Sequence, residues 1–213
     1  MINLLRKEFL LAAHPTLYIF SCMGALLLVP SYPYSTVFLY GCLAPFITFQ
    51  FGRENNDVFY TATLPIGKRE VVKGKCLLFM TAHLGQLLIS LPFAFLRTVI
   101  YPAGNVVGME ANVAYYGFGL MIFGVYTFVF LTQFYKTAYR VGWACIKGMI
   151  PAVIGMVLVE ALPHIPACGW LDGMEPAMLV KQLPVLLCGI VIYALSMFFG
   201  YRIAASRFEK VDL

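Results

Sequence analysis

Apolar residues run continuously through most of this chain and do not alternate with polar ones. Stretches such as LMIFGVYTFVFL and LLCGIVIYALSMFFG lack the period of two that a membrane β-barrel requires. About 20 predominantly apolar residues in a helix cross the hydrocarbon of a bilayer. The pattern predicts an all-α integral membrane protein, a single transmembrane domain over residues 1–213, with six transmembrane helices at 16–29, 34–52, 71–96, 113–134, 148–162 and 179–201.

Composition and charge agree with this pattern and add an orientation. Hydrophobic residues make up 61% and charged residues 12% of the chain, far from the balance of a soluble domain. Lys and Arg near helix ends stay on the cytoplasmic side, and only Arg97 and Lys181 fall on the other side of the predicted bundle. We predict that both termini are cytosolic (N-in and C-in). The net charge of +5 follows from this bias and from anionic headgroups, so no nucleic-acid partner is expected.

The first 15 residues, MINLLRKEFLLAAHP, predict an interfacial helix. At 100° per residue their apolar side chains share one face, the pattern of a helix that rests in the headgroup region. Pro15 then permits a turn into the bilayer. A frayed cytosolic start of the first span is the alternative. The apolar face comprises Ile2, Leu5, Phe9, Ala12 and Ala13, whereas Asn3, Arg6, Lys7 and His14 lie elsewhere.

A polar, basic island, RENNDVFYTATLPIGKREVVKGK, separates the second and third predicted spans. Asn55 or Asn56 can cap a short helix whose first turn holds Asp57, and Pro65 ends it. The cytosolic segment 53–70 therefore contains a helix of about two turns. Such a helix can dock in the groove of a partner, or it can be a solvated connector whose aromatic residues dip into headgroups. Its exposed side chains would be Val58, Phe59, Tyr60 and Leu64.

Signatures of catalysis and of metal binding are not found in the sequence. There is no H-E-x-x-H, no G-x-S-x-G and no G-x-x-x-x-G-K-[ST] phosphate loop. His14, His83 and His164 fall at different predicted depths, and the cysteines form no C-x-x-C pair. We therefore predict no catalytic residue, no metal site and structural thiols. The predicted outer connections, 30–33, 97–112 and 163–178, are too short for an external binding domain.

Polar residues inside the predicted spans are few. His83, Gln86, Ser90 and Arg97 fall within about 60° of one another on the third span, which makes a polar stripe. This stripe can line a translocation path, or it can hold helices together by hydrogen bonds. Glu160, near the outer end of the fifth span, is predicted to lie at the interface with water, with a proton relay as the alternative.

The island resembles the helix, Leu-Pro, basic, Val-Val-x-x-Lys stretch that follows the second span in small six-span permeases of the type-2 ATP-binding-cassette (ABC) transporter family. The N-terminal LLRKEFLLAAHP is similar to the elbow helix of the same family, and bacterial peptide and toxin exporter permeases show the same plan. The resemblance implies a coupling helix that contacts an ATPase. Carried onto this chain, its contact residues are Glu54, Asn55, Asn56, Asp57, Phe59, Tyr60, Leu64 and Pro65.

The same resemblance implies partners. Two cytosolic ABC ATPase subunits would bind ATP and Mg, so this chain would bind no cofactor itself. A second permease chain, identical or homologous, would complete the transporter in the lipid of a bacterial plasma membrane. The connection after the fourth span would supply a second cytosolic contact, with positive-inside anchoring as the alternative. It contains Lys136, Tyr139, Arg140 and Trp143.

By resemblance to the peptide-exporting members of this family, we expect a permease subunit that exports amphipathic, antimicrobial or toxic peptides, and such substrates would suit an apolar chain rich in aromatic residues. Small drugs and ions are the other candidate substrates. An ion-gradient-driven secondary transporter is an alternative, but it should show more intramembrane charges and matched broken helices. A non-transporting membrane scaffold or immunity protein is another. Nucleotide-dependent movement would distinguish the ATPase-coupled permease from a scaffold.

Overall fold

The computed structural model describes residues 2–63, 65–102 and 104–211, and helices dominate these ranges. The first helix continues into a wide turn at Glu8–Ala12, the second into a tighter helix at Cys22–Leu28, and short 3₁₀ turns at Leu162–His164 and Pro166–Leu171 precede the last helix. The α-helices are α1 (Ile2–Lys7), α2 (Thr16–Ser21), α3 (Thr36–Glu54), α4 (Asp57–Thr63), α5 (Lys68–Ile100), α6 (Val113–Phe134), α7 (Val141–Ala161) and α8 (Pro176–Glu209).

Four of these helices are long and apolar enough to cross a membrane. They are α5, α6, α7 with its extension to His164, and α8, and Thr16–Leu28 is an apolar helix of shorter length. The chain is therefore an all-α, multi-pass membrane protein, as predicted. Both α5 and α8 extend beyond their predicted spans, 71–96 and 179–201, because helical hydrogen bonding continues through polar residues after the apolar run has ended.

Aromatic side chains fill the centre of the bundle. Phe49 of α3 meets the rings of Phe130 and Phe134 of α6 edge-on, at centroid distances of 5.1 and 4.9 Å. Phe38 stacks on Tyr115 at 4.5 Å. Edge-to-face and offset pairs of this kind contribute beyond the apolar area that they bury. The interior between α3, α5 and α6 is consequently occupied by protein.

Glycines set the distance between α6 and α8. A β-carbon on Gly189 would lie 2.9 Å from the Cα of Gly117, and one on Gly117 would lie 2.9 Å from the Cα of Leu186. About two turns further along α6, a β-carbon on Gly124 would lie 3.0 Å from the Cα of Tyr193. The two backbones are thus in direct contact, although neither helix carries a strict G-x-x-x-G motif.

Replacing Gly189 with alanine is expected to destabilise the protein by about 1–3 kcal/mol, because the added methyl group must push α8 away from α6. The matched control is Gly85→Ala on α5, where a β-carbon meets nothing within 4 Å. Helix propensity predicts a neutral or stabilising effect at that position. Thermal unfolding in detergent measures both. Equal melting temperatures for the two variants would contradict the close approach of the helices.

The N-terminal segment packs on the bundle before the chain turns at Pro15. Phe9 and Ala13 contact a small buried cluster formed by Leu17, Ala44, Leu78 and Ala82. Part of the predicted apolar face therefore meets protein. The side chain of Ile2, another member of that face, lies outside the described residues.

Candidate functional site

A short helix, α4, connects α3 to α5 at one end of the bundle. The chain reverses before it at Asn56, whose φ of 53° lies in the left-handed region that asparagine tolerates. The carbonyl of Asn56 then accepts the first helical hydrogen bond, from the N–H of Tyr60 at 2.9 Å. The sequence predicted a helix of about two turns here, and α4 spans seven residues. Leu64 lies outside the described residues.

One face of α4 presents aromatic side chains to the surroundings. Phe59 is 57% and Tyr60 61% exposed, while the neighbouring Val58 is partly buried against the core. The flanking residues that the sequence singled out are also exposed. They are Glu54, Asn55, Asn56 and Pro65.

Asp57 is the predicted contact residue that turns inward. Its carboxylate is 2.6 Å from the ammonium of Lys7 and 2.6 Å from that of Lys75, one on each oxygen. Burial alone would raise the pKa of this carboxyl, but the two lysines together hold the pKa below its usual value. Asp57 is thus ionised at neutral pH and attaches α4 to the rest of the chain.

Glu8 completes a buried charge cluster, which we define as Lys7, Glu8, Asp57 and Lys75. Lys75 also lies 2.6 Å from Glu8, and Lys7 lies 3.2 Å from Glu8. Lys7 donates a further hydrogen bond to Thr61 of α4 at 2.8 Å. The side chains of Glu8 and Lys75 are 0% and 3% exposed. The cluster joins the N-terminal segment, α4 and the start of α5.

Sequence reasoning missed this cluster. Lys7 and Lys75 were treated as cations that set the orientation, and Asp57 as a favourable charge at a helix N-terminus and a contact for the ATPase. The partners are 50 and 18 residues apart along the chain, so no local pattern joins them. The sequence did contain a signal for this cluster, because Glu8 is a carboxylate within an otherwise basic and apolar segment.

The connection after α6 lies close to the end of α3. Arg53, at the end of α3, places its guanidinium 5.5 Å from the centre of the Tyr139 ring. Tyr139 and Trp143 are 64% and 57% exposed, and Lys136 and Arg140 are exposed as well. The two predicted cytosolic contacts therefore lie at the same end of the bundle.

The polar stripe of α5 faces other helices. Gln86 donates to the carbonyl of Val37 at 2.6 Å, and Ser90 lies 3.1 Å from the hydroxyl of Tyr116. The His83 ring stacks on Phe123 at 4.2 Å. Arg97, the fourth member, donates to the hydroxyl of Tyr34 at 2.7 Å. All four residues of the stripe are buried.

An apolar groove opens on a different side of α5, towards α8. Its volume is about 720 Å³, within the range of small-molecule sites. Leu88 and Phe95 on its wall are 65% and 74% exposed, so it is accessible from the lipid side. Other lining residues include Leu84, Leu91, Tyr116 and Leu186.

The remaining candidate residues are Glu160, the histidines and the cysteines. Glu160, on α7, accepts backbone hydrogen bonds from Ser35 at 2.6 Å and from Met109 at 3.1 Å. Within the described ranges no three His, Cys, Asp or Glu side chains come together as metal ligands. The six cysteines are free thiols.

Long apolar helices, joined by a short helix that exposes aromatic residues at one end, define a multi-pass membrane protein. A family model described as an ABC-2 family transporter protein matches residues 3–205, and the chain belongs to that family. It is thus the membrane permease subunit of an ABC transporter, and permeases of this family work with ATPase subunits. No curated protein and no solved structure matches the chain.

Proposed function

We propose that this chain is the permease subunit of an ATP-driven exporter and that α4 is its coupling helix. The proposal rests on one observation, that residues of α4 face in two directions with different roles. Phe59 and Tyr60 face outward and are available to a partner, whereas Asp57 fastens the same helix to α5 and to the N-terminal segment. A force on the exposed face is therefore transmitted to the bundle.

We further propose the full six-span plan with both termini cytosolic. The helices Thr16–Leu28 and α3 would be the first and second spans, ahead of the four longer ones. The segment before Pro15 would be the elbow helix, at the level of the headgroups. This orientation places α4 and the loop around Tyr139 on the cytosolic side, where two ATPase subunits, each with ATP and Mg, would bind a pair of permease chains.

The loop after α6 would form the second part of the ATPase contact. Its proximity to α3 through Arg53 and Tyr139 supports one continuous surface. Tyr and Trp are enriched in the centres of protein interfaces. Positive-inside anchoring accounts for Lys136 and Arg140, and Tyr and Trp beside them are also common at the membrane interface.

An ATPase-driven mechanism fits Glu160 better than an ion gradient does. A proton relay requires a carboxylate that can exchange protons along a path. Both oxygens of Glu160 are instead occupied by backbone N–H groups of Ser35 and Met109. Hydrogen bonds of this kind hold the carboxylate in place and suit a structural role.

For the substrate we propose an amphipathic, membrane-seeking molecule, with antimicrobial or toxic peptides as the class. The groove between α5 and α8 has apolar walls and opens towards lipid. The polar stripe faces helix contacts, and aromatic rings occupy the centre of the bundle. A substrate that enters from the bilayer with an apolar face suits this arrangement, and a freely hydrated one does not.

The test is to purify the chain in detergent from membranes in which it is produced with its candidate ABC ATPase. We expect the two proteins to elute together and the complex to hydrolyse ATP. After reconstitution in nanodiscs, a fluorophore at Tyr139→Cys should respond to nucleotide. Co-elution without any response to nucleotide would favour a scaffold, and a failure to bind the ATPase would contradict the assignment of the docking surface.

A further inference from the structure

The outer end of the bundle is held closed by a second set of polar contacts. Glu160 of α7 bridges the backbone N–H of Ser35, which precedes α3, and the N–H of Met109 in the loop before α6. A β-carbon on Gly108 would overlap the Glu160 carboxylate, so this close approach requires glycine. One carboxylate thus fastens the start of α3 to α7 and to the outer loop.

A buried ion pair does the same for α5. The guanidinium of Arg97, in the last turn of α5, lies 3.1 Å from Glu110, and the two side chains are 4% and 5% exposed. Arg97 also donates to the hydroxyl of Tyr34 at 2.7 Å, which links the outer ends of α3 and α5. The N–H of Glu110 donates in turn to Asp172, in the loop before α8, at 2.7 Å.

The helices fastened at this end are the two that flank α4 at the other. Two residues separate the end of α3 from the start of α4. The ion pair between Asp57 and Lys75 fixes α4 to α5. Lys75 and Arg97 are 22 residues apart on one helix, about 33 Å at 1.5 Å per residue, which is close to the thickness of the hydrocarbon. A displacement of α4 therefore reaches Ser35 through α3 and Arg97 through α5.

The carboxylates that receive these contacts belong to the other half of the chain. Glu160 lies on α7, Glu110 precedes α6 and Asp172 precedes α8. α6 packs closely on α7 and α8, with the backbones of Gly117 and Gly189 in contact. The contacts at the outer end thus join α3 and α5 to the group formed by α6, α7 and α8.

We infer that Glu160 and Glu110 form an outer latch, with Ser35, Met109 and Arg97 as their partners, that keeps the exit closed until α4 moves. This rests on the proposed function, since it assigns to that function the residues that hold the closed state. Release exchanges the protein contacts of each carboxylate for contacts with water. Glu160 and Glu110 are accordingly positioning residues, and neither needs to touch the substrate.

The experiment measures the accessibility of the latch from outside. Met109 is 0% exposed, so in a Cys168→Ser background Met109→Cys should react slowly with a membrane-impermeant maleimide. In Glu160→Ala the rate should rise at least about tenfold, because the loss of one hydrogen bond to a charged group is sufficient for that factor. Glu160→Gln, which keeps one acceptor oxygen, should give an intermediate rate. The control is Glu175→Ala, an exposed carboxylate at the same end, which should leave the rate unchanged.

The decisive arm adds the ATPase. Nucleotide should accelerate labelling of Met109→Cys in the chain with an intact latch and should add little in Glu160→Ala. A rate that stays slow while the complex hydrolyses ATP would overturn the latch, and so would a slow rate in a folded, monodisperse Glu160→Ala variant. If the wild-type chain binds no ATPase, the proposed function fails at co-elution, before any labelling, and the trigger of the latch fails with it.

Discussion

Replacing Lys75 with methionine is expected to destabilise the protein by about 3–5 kcal/mol, the cost of leaving buried charges without their partner. The ammonium lies 2.6 Å from both Glu8 and Asp57, and it is 3% exposed. Methionine has a similar volume, so the cavity term is small and the loss is electrostatic. Thermal unfolding in detergent, with the fraction of monodisperse protein as a second readout, measures the effect.

Lys73→Met is the matched control for this substitution. Lys73 lies two residues away on α5, is partly exposed, and has no ion pair among the described residues. A surface substitution of this kind is expected to stay within about 0.5 kcal/mol. Adding Glu8→Gln to Lys75→Met should restore part of the stability, because it removes one uncompensated carboxylate. Equal losses for Lys73→Met and Lys75→Met would show that the buried charge cluster does not contribute as described.

Replacing both Phe59 and Tyr60 with alanine is expected to weaken binding of the ATPase at least about 30-fold while leaving the permease folded. A central aromatic residue of an interface contributes about 2 kcal/mol or more on truncation, and each 1.4 kcal/mol is a factor of ten. Both side chains are more than half exposed in the chain alone, so the fold loses little. The measurement is the dissociation constant of the ATPase from permease in nanodiscs.

Phe95→Ala provides the comparison for this effect. Phe95 is 74% exposed on the side of α5 that faces the groove and lipid. The variant removes an aromatic ring that is even more exposed than Phe59 and Tyr60, from a surface that the proposed function does not assign to the ATPase. Binding that falls equally in Phe95→Ala and in the double variant would point to a general defect of the permease. Unchanged binding in the double variant would refute α4 as the main contact.

The predicted spans show which helix limits the local sequence pattern can predict. The fourth, 113–134, coincides with α6, because an apolar run that ends in polar residues on both sides marks its own limits. The fifth was placed at 148–162, yet α7 begins at Val141. Residues 141–147 include a lysine and a tryptophan, which lower the apolar signal although helical hydrogen bonding continues through them.

The candidate site likewise has features that the sequence predicted and features that it did not. A helix between Asn56 and Pro65 was predictable, because a turn-forming residue and a proline bound it locally. The exposure of Phe59 and Tyr60 was predicted correctly, but the inward orientation of Asp57 was not predicted. Asp57 was assigned to a partner with Phe59 and Tyr60, and the structure turns Asp57 towards Lys7 and Lys75.

The sequence by itself determined that this protein lies in a membrane and which family it belongs to. Long apolar runs that do not alternate admit only helices within a bilayer, since every backbone polar group there must be satisfied within the protein and the strands of a barrel would alternate. The tertiary structure alone decided which charged and polar groups meet. Lys75 with Glu8, and Glu160 with Ser35, are brought together by helix packing over 67 and 125 residues of chain. An ion pair between distant residues leaves no periodic trace, because its energy depends on distance in space and burial and not on spacing along the chain.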